Sequence, residues 1–271
     1  MTRLLGHKRL VPFIKAKKGS ISDEPIKYRL NSSGFRGEPY RVCKNRLCFF
    51  GDSFTFGYGV AESDTWCYHF REQYAKHLHF ADFHDINLLN FGLPGASNQE
   101  ISRNVVLQCS RLKANFAIMT SAPQDRSECV LDGKIIEIGP WTIKQKSRGA
   151  HIGLMSQGYY QYYTPELGAL ELMRNLLNAQ FFFKANGIKY VLVSLIPLHG
   201  LSYPSIELLK LLESPRIIWL PRLLSKEARR SRRLFNIIAH DRASDGKHWG
   251  KSLHRLVGEL IWEWTIKHKL L

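Results

Sequence analysis

What this sequence lacks narrows it first. No CxxC pair occurs, and the five cysteines (Cys43, Cys48, Cys67, Cys109 and Cys129) form an odd set. That argues against a disulfide framework and a zinc site and leaves buried reduced thiols. No apolar run approaches the roughly 18 residues that a membrane helix needs, and no repeat with a period of ~20 to 50 residues shows. The opening stretch, MTRLLGHKRLVPFIKAKKGS, is basic without a continuous apolar segment or a small-residue cleavage site, so the expected location is cytoplasmic. Acidic residues are scarce: 23 Asp+Glu stand against 39 Lys+Arg, a formal net charge of +16. Such a surplus attracts polyanions. The cations cluster at Lys8 to Lys18 and in Lys226 to Arg233 (KEARRSRR), where either a solvated face or a dedicated anionic partner accounts for them. No zinc-finger or RNP signature accompanies the charge.

What is present suits one globular core, with 44% hydrophobic residues in a chain of 271. Residues 1–40 lack periodicity and carry Gly19, Pro25, Gly34, Gly37 and Pro39; they read as a basic arm and a turn-rich entry segment ahead of a domain over 41–271. From Arg46 onward, strands and helices alternate. Short apolar runs at Leu47–Phe50, Ile86–Asn90, Phe116–Met119, Tyr190–Leu195 and Ile217–Leu220 predict buried strands. Helical spacing predicts helices over about 63–78, from Ser97 (a capping box with Glu100), from Thr164 with Pro165 at its first position, and over about 251–267. Residues 123–163 break the rhythm and predict an insertion holding a hairpin over Val130 to Ile143 that turns at Asp132-Gly133. Strands separated by helices imply parallel pairing and a three-layer α/β/α sandwich around a central, mainly parallel sheet. Ligands of such sheets sit beyond the carboxyl ends of the strands.

Three strand-end segments carry chemistry. Gly51-Asp52-Ser53 puts a serine at a sharp strand exit, a nucleophile's position. Asn90-Phe91-Gly92 ends the second strand with a glycine whose N–H can approach an oxyanion. Asp245 precedes His248 by three residues, a spacing at which the carboxylate reaches one imidazole nitrogen and leaves the other for a serine. Weaker candidates are Asn98, as a substrate-orienting amide or a helix-capping residue, and His199 after the fourth strand. The run Tyr159-Tyr160-Gln161-Tyr162-Tyr163 offers Tyr160 for stacking on a substrate ring. His77, His79 and His84 straddle a helix end without cysteines or paired carboxylates, so no metal is expected.

GDSFTFGYGV, NFGLPGASNQE and DGKHWG, in that order, resemble the first, second and last sequence blocks of the SGNH (GDSL-type) hydrolase family, and Asn31 to Gly37 (NSSGFRG) resembles an entry segment found in one branch of it. The resemblance implies a flavodoxin-like α/β/α fold, Ser53 as nucleophile, His248 as general base, Asp245 as its orienter, and backbone N–H groups of Ser53 and Gly92 in an oxyanion hole. It implies no cofactor. One block departs from the family. Its third ends in Gly-x-Asn-Asp, with an asparagine donating to the oxyanion, whereas this chain reads Ser121-Ala122-Pro123-Gln124-Asp125-Arg126. Pro123 stands at the asparagine's place, so Gln124, Arg126 or Ser121 must substitute, or the hole has two donors. The expected activity is hydrolysis of a small acyl ester, such as acetyl, on a carbohydrate or similar hydroxyl-bearing molecule, since no apolar lid segment stands out. The alternatives are an O-acyltransferase using the same acyl-enzyme and a binding protein for an anionic glycan or nucleic acid. The sequence leaves the oligomeric state open.

Overall fold

The computed structural model describes residues 26–41, 43–79, 85–144, 150–196 and 203–271. The Lys8–Lys18 cluster, His84 and His199 lie outside the described residues. Five strands, β1 (Asn45–Gly51), β2 (Ile86–Gly92), β3 (Phe116–Thr120), β6 (Lys189–Ser194) and β7 (Ile217–Trp219), form one sheet in the order β2-β1-β3-β6-β7, every pairing parallel. These strands are apolar on both faces because both are covered. On one face, α3 (Asn98–Leu112), α5 (Pro165–Ala185) and α6 (Tyr203–Leu211) enclose a core containing Phe50, Met119, Leu176 and Phe183. On the other, α2 (Trp66–His77), through Trp66 and Phe70, and α9 (Lys251–Lys267), through Leu253 and Val257, cover Phe49 and Ile118 of the sheet. The result is the expected α/β/α sandwich.

Capping fixes where the helices begin. Thr65, Ser97 and Thr164 each accept a backbone N–H with the side-chain oxygen, and Pro165 occupies the first turn of α5. The 123–163 stretch holds a two-stranded hairpin, β4 (Ser127–Leu131) with β5 (Lys134–Ile138), turning at Asp132-Gly133 as expected but starting earlier and ending sooner, and a helix, α4 (Ala150–Tyr162), that carries the tyrosine run. The Lys226–Arg233 cations lie on two helices that the charge run concealed, α7 (Leu220–Arg230) and α8 (Arg232–His240).

The entry segment is stitched to the sheet. Arg36, 2% exposed, bridges to Asn90 of β2 and donates from its guanidinium to the carbonyls of Phe56, Gly57 and Val60. Those carbonyls belong to the end of α1 (Ser53–Phe56) and the loop after it. One buried cation thereby holds the segment that follows the first strand.

Candidate active site

At the carboxyl edge of the sheet, β1 and β2 meet at paired glycines, Gly51 and Gly92. A Cβ on Gly51 would lie 2.0 Å from Thr120 Oγ1, and one on Gly92 would lie 2.2 Å from the backbone N of Phe56. Only bare backbone lets α1 sit this close to the strand ends. Asp52 caps α1 by accepting from the Phe54 N–H, which sets Ser53 as the first helical residue, 4% exposed.

The loop between α8 and α9 brings in its partners from the far end of the chain. The ring of His248 lies 2.8 Å from Ser53 Oγ through Nε2 and 2.5 Å from Asp245 Oδ2 through Nδ1. An ionised carboxylate only accepts, so the ring's proton sits on Nδ1 and Nε2 is left to accept from the serine hydroxyl. Asp245 also accepts from the backbone N–H groups of Lys247 and His248. Burial acts to raise its pKa, but these bonds and the His248 ring outweigh burial and hold the carboxyl below its ordinary value. The imidazole is wedged between the rings of Phe54 (5.2 Å) and Tyr58 (4.9 Å), which fix its orientation.

The other expected residues fare differently. Gly92 is not available as an oxyanion donor: its N–H donates to Asn90 Oδ1 at 2.9 Å, while the Asn90 amide holds the Thr55 carbonyl. Gly95, three residues on, has φ +88° and an N–H without a hydrogen-bond partner among the described residues. Asn98 does not face a substrate; buried, it exchanges two bonds with the backbone of Ala122 and ties α3 to the exit of β3. The Tyr160 hydroxyl donates to the Asp125 carbonyl and supports the same exit loop. Its neighbour Tyr163 instead lines a hollow beside the site and hydrogen-bonds the Gln124 side chain; burial is the main reason its phenol is pushed up to about 12.

Arg126 proves more central than its place in the sequence suggested. One of its guanidinium nitrogens contacts both Asp52 Oδ2 (2.9 Å) and the Ala96 carbonyl (3.3 Å), joining the residue before the serine to the loop that carries Gly95. The indole of Trp141 covers it at 5.1 Å. Burial pushes the Asp52 carboxyl above its ordinary value, and the Arg126 charge opposes that shift. The sequence carried a signal for the pairing only as an arginine three residues after Pro123. Beside the serine, Phe54, Pro123, Tyr163, Leu195, Ile196 and Trp249 line an open hollow of about 390 Å³. No cluster of metal-ligating side chains occurs among the described residues, and no helix among them is long and apolar enough to cross a membrane.

The same fold recurs in solved structures of GDSL-type lipolytic enzymes and esterases. A protein described as a GDSL-like lipase from Parabacteroides merdae aligns with a TM-score of 0.50 at 12% identity, over 84% of this chain and 97% of that one. The psychrotrophic esterase EstA from Pseudoalteromonas sp. aligns with a TM-score of 0.49 at 11% identity, over 83% and 99%. An acetyl xylan esterase, AlAXEase, aligns with a TM-score of 0.48 at 14% identity, over 80% and 98%. No protein-family model matches the sequence, and no curated protein matches it.

Proposed function

We propose that this protein is a serine-dependent carboxylic ester hydrolase of the SGNH (GDSL) type, working through an acyl-enzyme on an ester of a carbohydrate or another hydroxyl-bearing molecule. What carries the reading is the continuous hydrogen-bonded line from Ser53 Oγ through the His248 ring to Asp245, at 2.8 and 2.5 Å. As Oγ attacks the ester carbonyl, its proton passes to His248 Nε2, and Asp245 balances the charge that appears on the ring. The tetrahedral intermediate collapses, the C–O bond to the alcohol breaks, and Nε2 returns the proton to the departing oxygen. A water then repeats the sequence on the Ser53 ester and frees the acid.

The oxyanion is assigned to the N–H groups of Ser53 and Gly95, with the Arg126 charge behind them. Gly95 replaces Gly92 in this role because the Gly92 N–H already has an acceptor, and Arg126 links the Gly95–Ala96 loop to Asp52. A short acyl group such as acetyl fits the hollow beside the serine.

Hydrolysis of short-chain aryl esters at neutral pH by the native protein and by Ser53→Ala tests the reading. Turnover by the native protein that vanishes in the variant is expected. No turnover by either protein, or equal turnover by both, overturns it. For Asp245→Asn the expected result is a roughly 10³- to 10⁴-fold fall in kcat with little change in KM.

A second reading, an anionic partner on the basic surface, is favoured by Arg222, Lys226, Arg229, Arg232 and Arg233 on α7 and α8, none of which has an acidic partner among the described residues. Polyanion binding that weakens steeply with salt and survives Ser53→Ala would support it.

A further inference from the structure

Charge is concentrated on two short helices. Over 220–240 the chain carries six cations, Arg222, Lys226, Arg229, Arg230, Arg232 and Arg233, against one acid, Glu227. That acid is buried and pairs with Arg230, which leaves the other five without an opposite charge beside them among the described residues. Arg222, Lys226 and Arg229 follow one another at four- and three-residue spacing and form one exposed stripe of α7. Arg232 and Arg233, also exposed, continue the charge on the first turn of α8.

Apolar surface lies open next to these cations. No residue of α8 is buried; Ile237 and Ile238 rest partly on the core, whereas Leu234 and Phe235 belong to neither face's core, and Phe235 is 52% exposed. Phe235 follows Arg232 by three residues, which makes the two neighbours on the helix surface. Across the gap, Phe235 and Ser225 of α7 line one open hollow. Ser225 comes three residues after Arg222 and four before Arg229, so the phenyl ring stands at the edge of the α7 stripe as well. A soluble polyanion engages the cations and leaves this ring in water. The surface of an anionic bilayer takes both, pairing its headgroups with the cations and receiving the ring at the boundary with its acyl chains. At 11 and 9 residues, α7 and α8 fall well short of the roughly 20 that cross a bilayer, so such contact is made with the helices lying along its surface.

We propose that α7 and α8 form a docking surface for an anionic lipid bilayer, with Arg222, Lys226, Arg229, Arg232 and Arg233 against the headgroups and Phe235 inserted at the boundary beneath them. This rests on the anionic-partner reading given above and deepens it by naming the partner; it does not depend on the serine-esterase reading. Each cation brought to the bilayer surface raises partitioning about fivefold. Burial of the phenyl ring raises it about tenfold or more. Salt screens the first contribution and not the second.

Cosedimentation of the full chain with vesicles tests this, using phosphatidylcholine alone and phosphatidylcholine mixed with phosphatidylglycerol, with binding to heparin and to a DNA duplex measured alongside. Three proteins are compared: the native chain, Arg229→Glu combined with Arg232→Glu, and Phe235→Ser. All three positions are exposed, so folding tolerates the changes, and circular dichroism checks that each variant is native. The native chain is expected to sediment with the mixed vesicles and not with phosphatidylcholine alone. The paired charge reversals should weaken that binding by well over tenfold. Phe235→Ser should weaken it about tenfold while leaving any binding to heparin or DNA within twofold of native. In Phe235→Trp, lipid brominated in its acyl chains should quench the added indole when the vesicles are anionic. Vesicle binding that Phe235→Ser leaves unchanged, with equal affinity for heparin or DNA, overturns the lipid surface and leaves an anionic partner standing. Vesicle binding untouched by the charge reversals overturns the placement on α7 and α8. No binding to vesicles, heparin or DNA overturns the lipid surface and the anionic-partner reading together.

Discussion

Arg126 and Asp52 are the pair on which the region around Ser53 turns. Asp52 is completely enclosed and Arg126 nearly so, which makes their mutual neutralisation essential once both are out of water. Removing the cation alone leaves a buried carboxylate uncompensated, so Arg126→Met is expected to lower stability by about 3–5 kcal/mol. Converting Asp52→Asn in the same chain should restore most of the loss, because no charge is then stranded; urea unfolding of the two variants decides this. Activity should not return with stability, since the double variant has no guanidinium beside the oxyanion. The sequence made Asp245 and His248 legible because three-residue spacing within a turn is local geometry. It could not show Arg126 reaching Asp52, a contact across 74 positions of chain. Gly92 is a different case. Asn90 lies two residues before it, the spacing at which a side-chain amide oxygen takes a backbone N–H, so the sequence held a warning that this N–H was committed.

At the level of elements, the glycine seam determines how accurately Ser53 is placed. Gly92→Ala would force α1 away from β2, because its Cβ meets the backbone of Phe56 and not a side chain that can turn aside. The serine moves with the helix. The expected outcome is a kcat lowered about 100-fold, the usual consequence of a displacement near 1 Å, in a protein whose circular dichroism remains native. The sheet strands and the capped helices were readable because each is a short apolar run or a cap followed by helical spacing. The helices α7 and α8 were not, because seven of the eight residues in KEARRSRR are polar or charged and drew attention away from the leucines before them and the Phe-Asn-Ile-Ile after them. Amphipathicity there is visible only when the whole 220–240 stretch is taken at once.

For the whole molecule, His254 couples folding to pH. It lies in α9 with no exposed surface and accepts the Trp66 N–H at Nδ1, which requires a neutral ring. Burial first, and then the charges of Arg36, His69 and His248, lower its pKa from the ordinary 6.5 to about 3. Above about pH 6.5 the ring is neutral in both folded and unfolded chains, and its contribution to stability is fully present. As the pH falls below that value the unfolded chain takes up a proton that the folded one refuses until about pH 3. Stability is therefore expected to drop by up to about 1.4 kcal/mol per unit across this window. Denaturant midpoints recorded between pH 7 and 4 should show that slope, and His254→Gln should flatten it.

The distance along the chain between Ser53 and its base has a consequence for synthesis. His248 lies 195 residues after the serine. At about 5–20 residues per second, a ribosome needs roughly 10 to 40 s to add them. During that interval Ser53 stands without the ring that faces it in the folded chain, so its hydroxyl is no more reactive than that of any other serine. On the proposed assignment, a message cut short before the Asp245–His248 loop yields a polypeptide that has Ser53 but no ring to activate it.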